Sequence, residues 1–319
     1  MNLIVTASDR KYGDFLCEHW LASLVACSSL ESTTLVVLDY GLSKVQRFYL
    51  ENHRVRLLPC ERDGHPAILR YRDLGRLLSQ ESWDQVMLCD GGDLIFQQDP
   101  LELFSRDREF FRGVVEDIAA PFTFYLSPDY FREVELPGLR RSLRGKPMVN
   151  GGMILGPREK MVLLCARVTF LVKDPNLFGP DQVVVNEVFH KMGFMPLDRG
   201  WNFIIATADE DFFIREGTFC RKDGSLIPVI HNAGNLGFLR PVENFGFGRE
   251  YNRLKEDLLK SLKMVHLTGG KLLRTTEEWA EARDRLLAGL QEANRDSKID
   301  LVRNLKRLRH FLGVKKPNS

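Results

Sequence analysis

Two carboxylates close an apolar run and another apolar run follows at once: Leu88-Cys89-Asp90-Gly91-Gly92-Asp93-Leu94-Ile95-Phe96. Acids this close repel each other unless a cation lies between them. A divalent ion bound to a nucleotide diphosphate is a natural occupant, because oxygen ligands suit Mg²⁺ or Mn²⁺. The intervening glycines would let a bulky ligand approach the backbone. Asp-Gly-Gly-Asp is also good turn chemistry by itself.

Other polar residues stand at places where chemistry or simple local structure would explain them. Asp9 and Tyr12 follow the first apolar run, in Ile4-Val5-Thr6-Ala7-Ser8-Asp9-Arg10-Lys11-Tyr12. An aromatic face beside a carboxylate acceptor suits a flat ligand that carries N–H groups, and Ser8 or Asp9 would equally cap a helix. Asn150-Gly151-Gly152 precedes an apolar run, and Asn150 offers both a donor and an acceptor. Asp181-Gln182 follows Pro180, where Asp181 would also serve as a helix cap. His231 and His266 each follow an apolar run and precede a glycine three residues on.

The elements that must position these residues read as an α/β chain. Leu3–Val5, Thr34–Leu38, Val55–Leu58 and Gln85–Leu88 read as strands. They alternate with amphipathic stretches at Tyr12–Leu30 and residues 66–80, and a further helix is expected at 161–173. This alternation predicts a mostly parallel central sheet covered by helices on both faces. Ligands of such sheets bind beyond the carboxyl ends of the strands, the edge where Asp9, Asp90 and Asp93 fall. Lys222-Asp223-Gly224-Ser225 reads as a hairpin turn. Residues 116–150 read as an irregular excursion that covers the cleft.

In their order along the chain, these motifs resemble glycosyltransferase family 8 and its relatives, which are retaining, nucleotide-sugar-dependent enzymes of the GT-A (Rossmann-like) fold. The resemblance covers roughly residues 1–275 and implies a transferase (EC 2.4 class) acting on a nucleotide diphosphate sugar, UDP-linked. It implies that Asp9 contacts the base and Tyr12 stacks on it. The family's aromatic-Arg pair is matched by Tyr71-Arg72, with Arg70 as a competitor, and the arginine would neutralise phosphate or position the donor. Asp90 and Asp93 would ligate Mn²⁺ (or Mg²⁺), although the family's usual pattern is Asp-x-Asp and this chain has one residue more. Asn150, Asp181 and Gln182 would carry the chemistry: Asn150 and Asp181 at sugar hydroxyls, Gln182 near the anomeric carbon. Gly151 and Gly152 would let the donor approach the backbone. Trp201-Asn202 matches an aromatic-Asn pair of many relatives. The third metal ligand would come from a His-x-x-Gly. Lys271, which could reach the diphosphate, favours His266, whereas His231 follows Trp201-Asn202 more directly.

Bulk properties exclude other classes. The 319 residues suffice for one large domain and an appendage, here read as 1–274 and 275–319. A net charge of +2 does not advertise nucleic-acid binding. The six cysteines are scattered with no Cys-x-x-Cys, which argues for reduced thiols inside a cell. No signal peptide or spanning segment is read, so the expected location is the cytoplasm or the inner face of the membrane. Residues 296–316 read as a basic amphipathic helix that would lie on an anionic membrane or pack on the core. The expected acceptor is a hydroxyl of a glycan, glycolipid or protein, as in lipopolysaccharide or other glycan biosynthesis. A nucleotidyltransferase would use the same acid pair, but Thr6–Asp14 is a poor phosphate loop for one. A non-catalytic nucleotide-sugar-binding relative is the third reading, kept open by the acidic spacing.

Overall fold

The structure, a computed structural model, describes residues 1–116, 118, 122, 125–234 and 240–268. Lys271 and the expected extension 275–319, with its basic segment 296–316, lie outside the described residues.

The amino-terminal half follows the expected alternation. Strands β1 (Asn2–Ser8), β2 (Thr33–Asp39), β3 (Arg56–Pro59) and β4 (Gln85–Cys89) pair in parallel in the order β3-β2-β1-β4. Between them run α1 (Gly13–Phe15), a π-helical turn at Leu16–Leu21, α2 (Ala22–Cys27), α3 (Lys44–Asn52) and α4 (Pro66–Gln80). Local chemistry sets the helix starts. Ser43 and Gln46 form a reciprocal capping box on α3. His65 accepts from the Ala67 N–H just before Pro66 opens α4.

The strands read as apolar throughout because both faces are covered. Leu3, Val5, Val36, Leu38 and Leu88 share one buried cluster with Leu74 and Leu77 of α4. Their alternating neighbours Ile4, Leu35, Val37 and Met87 join Leu16, Trp20 and Leu50 on the other face. Each fully buried aliphatic side chain contributes roughly 1.5–3 kcal/mol of transfer free energy, before entropy is subtracted.

Beyond β4 the parallel pattern ends. The short β5 (Leu94–Phe96) leaves for a second sheet, and the main sheet continues through β6 (Phe111–Glu116) and β7 (Met148–Pro157). β7 lies antiparallel between β4 and β6, and β8 (Phe194–Pro196) closes the far edge beside β6. Helices α5 (Leu136–Leu143), α6 (Arg158–Leu171) and α7 (Pro180–Met192) belong to this half, α6 starting a little before the expected position 161.

The second sheet has the order β5-β12-β9, built from β9 (Phe203–Ile204) and β12 (Val229–His231) with β5. A hairpin joins β10 (Phe212–Arg215) to β11 (Thr218–Arg221). Its tight turn is Glu216-Gly217, both at positive φ (49° and 74°), as a two-residue hairpin requires. The expected turn at Lys222–Ser225 forms as well, but it folds the chain back onto β11, where Ile227 N donates to Phe219 O at 3.1 Å. The last described element is α8 (Glu256–Thr268). All six cysteines are free. Among the described residues no helix is long and apolar enough to cross a membrane.

Candidate active site

The Asp-Gly-Gly-Asp turn is the joint between the two sheets. Asp90 follows β4 in the main sheet, and its N–H donates to Gly152 O of β7 at 2.7 Å. Asp93 precedes β5 in the second sheet. β12 runs antiparallel to β5 with His231 opposite Leu94, and Asn232 N donates to Asp93 O at 2.9 Å. This register brings His231 to the acidic pair across 138 residues of chain. One ligand atom from each of Asp90, Asp93 and His231 lies within 4.8 Å of the other two.

The glycines of the turn do not make room for a ligand, as the sequence suggested. They make room for the protein's own side chains. A Cβ on Gly91 would stand 2.5 Å from Thr6 Oγ1, and one on Gly92 2.7 Å from the Tyr12 ring. Gly152 is tighter still, because a Cβ there would meet His231 Cε1 at 2.3 Å.

Each carboxylate divides its oxygens between an arginine and the histidine. Asp90 Oδ1 accepts from Arg70 Nη1, and Asp90 Oδ2 lies 3.6 Å from His231 Nε2. Asp93 Oδ2 accepts from Arg240 Nη2 at 2.8 Å, and Asp93 Oδ1 lies 3.4 Å from His231 Nε2. Burial opposes charge on the His231 ring, but Asp93 and then Asp90 outweigh it and raise its pKa. Burial likewise works against the Asp93 carboxylate. The charges of His231 and Arg240 win and hold it below the ordinary carboxylate value.

This donor set fits a divalent cation. Ligands about 2.1 Å from an octahedral ion stand about 3 Å apart when adjacent and about 4.2 Å when opposite. The three facing atoms, Asp90 Oδ2, Asp93 Oδ1 and His231 Nε2, need only small movements to meet that spacing. Two carboxylates with one imidazole suit Mn²⁺ better than Mg²⁺, which favours oxygen alone.

The arginine at this site is Arg70. It is buried on α4, and Arg70 Nη2 also reaches Gly151 O at 3.3 Å and Asp181 Oδ2 at 3.5 Å. Arg72, the expected donor-binding residue, does not join the group. Two positions along a helix is more than half a turn, so Arg72 faces away and binds Asp63, Asp73 and the Glu61 carbonyl. Helical spacing could have found Arg70, since it shares a stripe with the buried Leu74 and Leu77.

Asp181 does not cap α7. The cap position is Gly179, at φ 102°, with no side-chain bond. Asp181 instead points to Arg70, and burial, only partly offset by that arginine, pushes its pKa up to about 6. Gln182 ties α7 to β7: Oε1 accepts from Gly151 N at 2.9 Å and Nε2 donates to Val149 O. Asn150 is buried and turned inward, donating to Glu116 Oε1 at 2.5 Å and accepting from Gly152 N at 2.8 Å. Asp9 Oδ1 accepts from the N–H groups of Lys11 (2.9 Å) and Tyr12 (3.2 Å), and Asp9 Oδ2 pairs with Arg62 at 2.9 Å. Asp9 thus builds the turn that carries the Tyr12 ring to Gly92.

His266 lies in α8, not after a strand as the sequence suggested. Met264 and Val265, read as strand, sit in a helix whose first turn carries Glu256 and Asp257, a favourable charge for that end. The Gly269 and Lys271 that favoured His266 lie outside the described residues. Arg240 and Glu116 at this site had no role in the sequence reading, and Asn202 entered it only as part of the Trp201-Asn202 pair, with no partner assigned.

No protein-family model and no curated protein matches the chain. Solved structures do. The chain is similar to the galactosyltransferase LgtC in complex with donor and acceptor sugar analogues, at TM-score 0.50 and 19% identity over 88% of this chain and 100% of that one. An active-site Gln-to-Glu mutant of LgtC matches at TM-score 0.50, 17% identity and the same coverage. The bifunctional glycosyltransferase WbbM, in its apo form, matches at TM-score 0.50 and 16% identity over 81% of this chain and 51% of that one. At these identities the likeness is one of fold: the chain has the GT-A fold of the glycosyltransferases it superimposes on.

Proposed function

We propose that this chain is a metal-dependent glycosyltransferase that moves a hexose from a UDP-linked sugar to a hydroxyl of a glycan, glycolipid or protein, with retention at the sugar carbon. The observation that carries this reading is the convergence of Asp90, Asp93 and His231 at the joint between the two sheets, beside the Arg70–Asp181 pair. One enzyme of the same fold, LgtC, is solved with donor and acceptor sugar analogues, which supports a sugar donor and a sugar acceptor here.

Asp90, Asp93 and His231 would hold Mn²⁺ or Mg²⁺, and that cation would supply positive charge to the departing diphosphate. The chain's own groups do the rest. Arg70 fixes Asp90 on one side and Asp181 on the other, so the cation ligands and the sugar-facing carboxylate keep one relative position. Its guanidinium has no neutral form near physiological pH and presents a rigid fork to both. Asp181 would accept from donor-sugar hydroxyls. Gln182 holds β7 and α7 together at Gly151 and would lie beside the anomeric carbon. Tyr12 would stack on the base, with Asp9 holding the turn that presents it. Residues 296–316 would bring the protein to the inner face of an anionic membrane that carries a lipid-linked acceptor.

The test is UDP release from a panel of UDP-sugars with Mn²⁺. Slow hydrolysis of one donor, lost on chelation and in Asp93→Asn, is the expected result. Pyrophosphate released from a nucleoside triphosphate would replace this reading with a nucleotidyltransferase. Absence of metal-dependent nucleotide binding would replace it with a non-catalytic role.

A further inference from the structure

We propose that Glu116, Asn150 and Asn202 form a one-way hydrogen-bond chain that decides which nitrogen of His231 carries the proton, and so turns Nε2 toward Asp90 and Asp93 as an acceptor for a cation. The proposal rests on the cation-site reading given above and assigns three positioning residues to it.

The direction follows from what each group can do. The Glu116 carboxylate, at the end of β6, only accepts. It takes a hydrogen bond from Asn150 Nδ2 on β7 at 2.5 Å and from Thr207 Oγ1 at 3.0 Å. With its amide nitrogen committed, Asn150 must face the other way with Oδ1. That oxygen accepts from the Gly152 N–H at 2.8 Å and from Asn202 Nδ2 at 2.9 Å. The Gly152 N–H is a backbone donor that cannot reverse, so the orientation of Asn150 is anchored twice. Asn202, in the 3₁₀ turn Arg199–Asn202, is then left with Oδ1 facing His231 Nδ1 at 2.9 Å. An amide oxygen there requires a proton on Nδ1. Nε2, on the opposite side of the ring, is the nitrogen that faces the two carboxylates.

The chain is buried. Asn202 is fully buried, His231 is 2% exposed, and Asn150 and Glu116 are each 9% exposed. A buried amide that loses its partners cannot turn to water, so reversal at any link would leave acceptor facing acceptor. Four separate elements supply the four residues, which is more than filling a polar seam would need. The missing side chain at Gly152 leaves the space in which the imidazole sits. Ring ligands are commonly oriented by the bond their other nitrogen makes. Here that bond is made by an amide whose own direction is set two residues further back.

The experiment uses the full chain labelled with ¹⁵N-histidine, without metal, at a pH where His231 is neutral. Long-range ¹H–¹⁵N correlations report the tautomer, and the His231 signals are those lost in His231→Gln. The expected result is the proton on Nδ1. Mn²⁺ binding is then measured by calorimetry with no donor present. Asn202→Leu is expected to lower affinity by about 10- to 100-fold. Glu116→Gln, which still offers an oxygen to Asn150, should stay within about threefold of wild type while Glu116→Leu does not. A neutral His231 carrying its proton on Nε2 overturns the proposal, and that result needs no variant to fold. So does an Asn202→Leu protein with unchanged melting temperature and unchanged Mn²⁺ affinity. If the wild type binds no Mn²⁺, the cation reading fails on its own, and the tautomer still decides the direction of the chain.

Discussion

Among the described residues two arginines, Arg70 and Arg112, are buried, and they are buried in opposite company. Arg112, on β6, is fully buried among neutral acceptors: the carbonyls of Leu103 (2.7 Å) and Arg106 (2.6 Å) and the amide oxygen of Gln85. With no carboxylate bonded to it, burial brings its pKa down to about 10. Arg70, on α4, stands between Asp90 and Asp181. Burial opposes its charge too, but the Asp90 carboxylate outweighs it and the pKa goes well above the ordinary value. Arg112 ties a strand to a loop and does structural work. Arg70 holds charge in place at a joint where a further charged group is expected. Buried charge is therefore not by itself a mark of a site, and the partners distinguish the two cases.

The contrast can be broken by substitution. Arg112→Met strands two buried acceptors and the part-buried Arg106 carbonyl, so urea unfolding should show a loss of about 3 kcal/mol. UDP release by the folded protein should change by less than about twofold, because the site is distant. A turnover defect without a stability defect would break the contrast. Arg70→Met also strands buried carboxylates and so costs stability, but unlike Arg112→Met it should lower UDP release by the folded protein about 100-fold, or about 2.7 kcal/mol in the barrier.

Asp181 sharpens the comparison through pH. Its folded pKa of about 6 lies above the ordinary 3.8, so the native state binds this proton more tightly than the unfolded one. Between those values stability falls as pH rises, and above about pH 6 the full penalty of the buried charge is present. Asp181→Asn should therefore unfold later than wild type at about pH 7.5, by on the order of 2 kcal/mol, with the gain fading toward about pH 4. The same variant should lose activity. The smallest effect is expected at Arg240, a partly exposed partner of Asp93. Arg240→Ala removes a cation beside the ligand group, and Mn²⁺ affinity measured without donor should rise about threefold, under about 1 kcal/mol.

Much of the fold can be read from the sequence where one element answers to one local pattern. β1, β2, β4 and α4 are apolar or amphipathic runs bounded by turn residues; β2, β4 and α4 lie within a residue of their expected places, and β1 runs three residues further, to Ser8. The carboxylates of the site are legible for the same reason: they end a strand. The partners are not, because they depend on pairings that local pattern does not encode. His231 meets Asp93 only through the register of β12 on β5. Asn202 meets Asn150 only because a short 3₁₀ turn packs under β7. Arg70 and Arg72 differ by one helical face, and only the buried stripe Arg70-Leu74-Leu77 separates them. The strand expected before His266 fails for a different reason: Met264-Val265 is apolar enough for a strand, but Val265 continues the i, i+3 spacing of Leu259 and Leu262 on α8.

The four-residue link from Asp90 to Asp93 crosses from one sheet to another, and what lies beneath it is hydrophobic. Phe96, fully buried on β5, meets the Trp20 ring edge-on with centroids 5.6 Å apart, and its N–H donates to Ser23 Oγ at 3.0 Å. The strand that leaves Asp93 is therefore anchored to the helical layer by an aromatic contact three residues beyond the acid. A smaller ring at position 96 would let that strand settle and shift one acid relative to the other while every polar group of the turn stays the same.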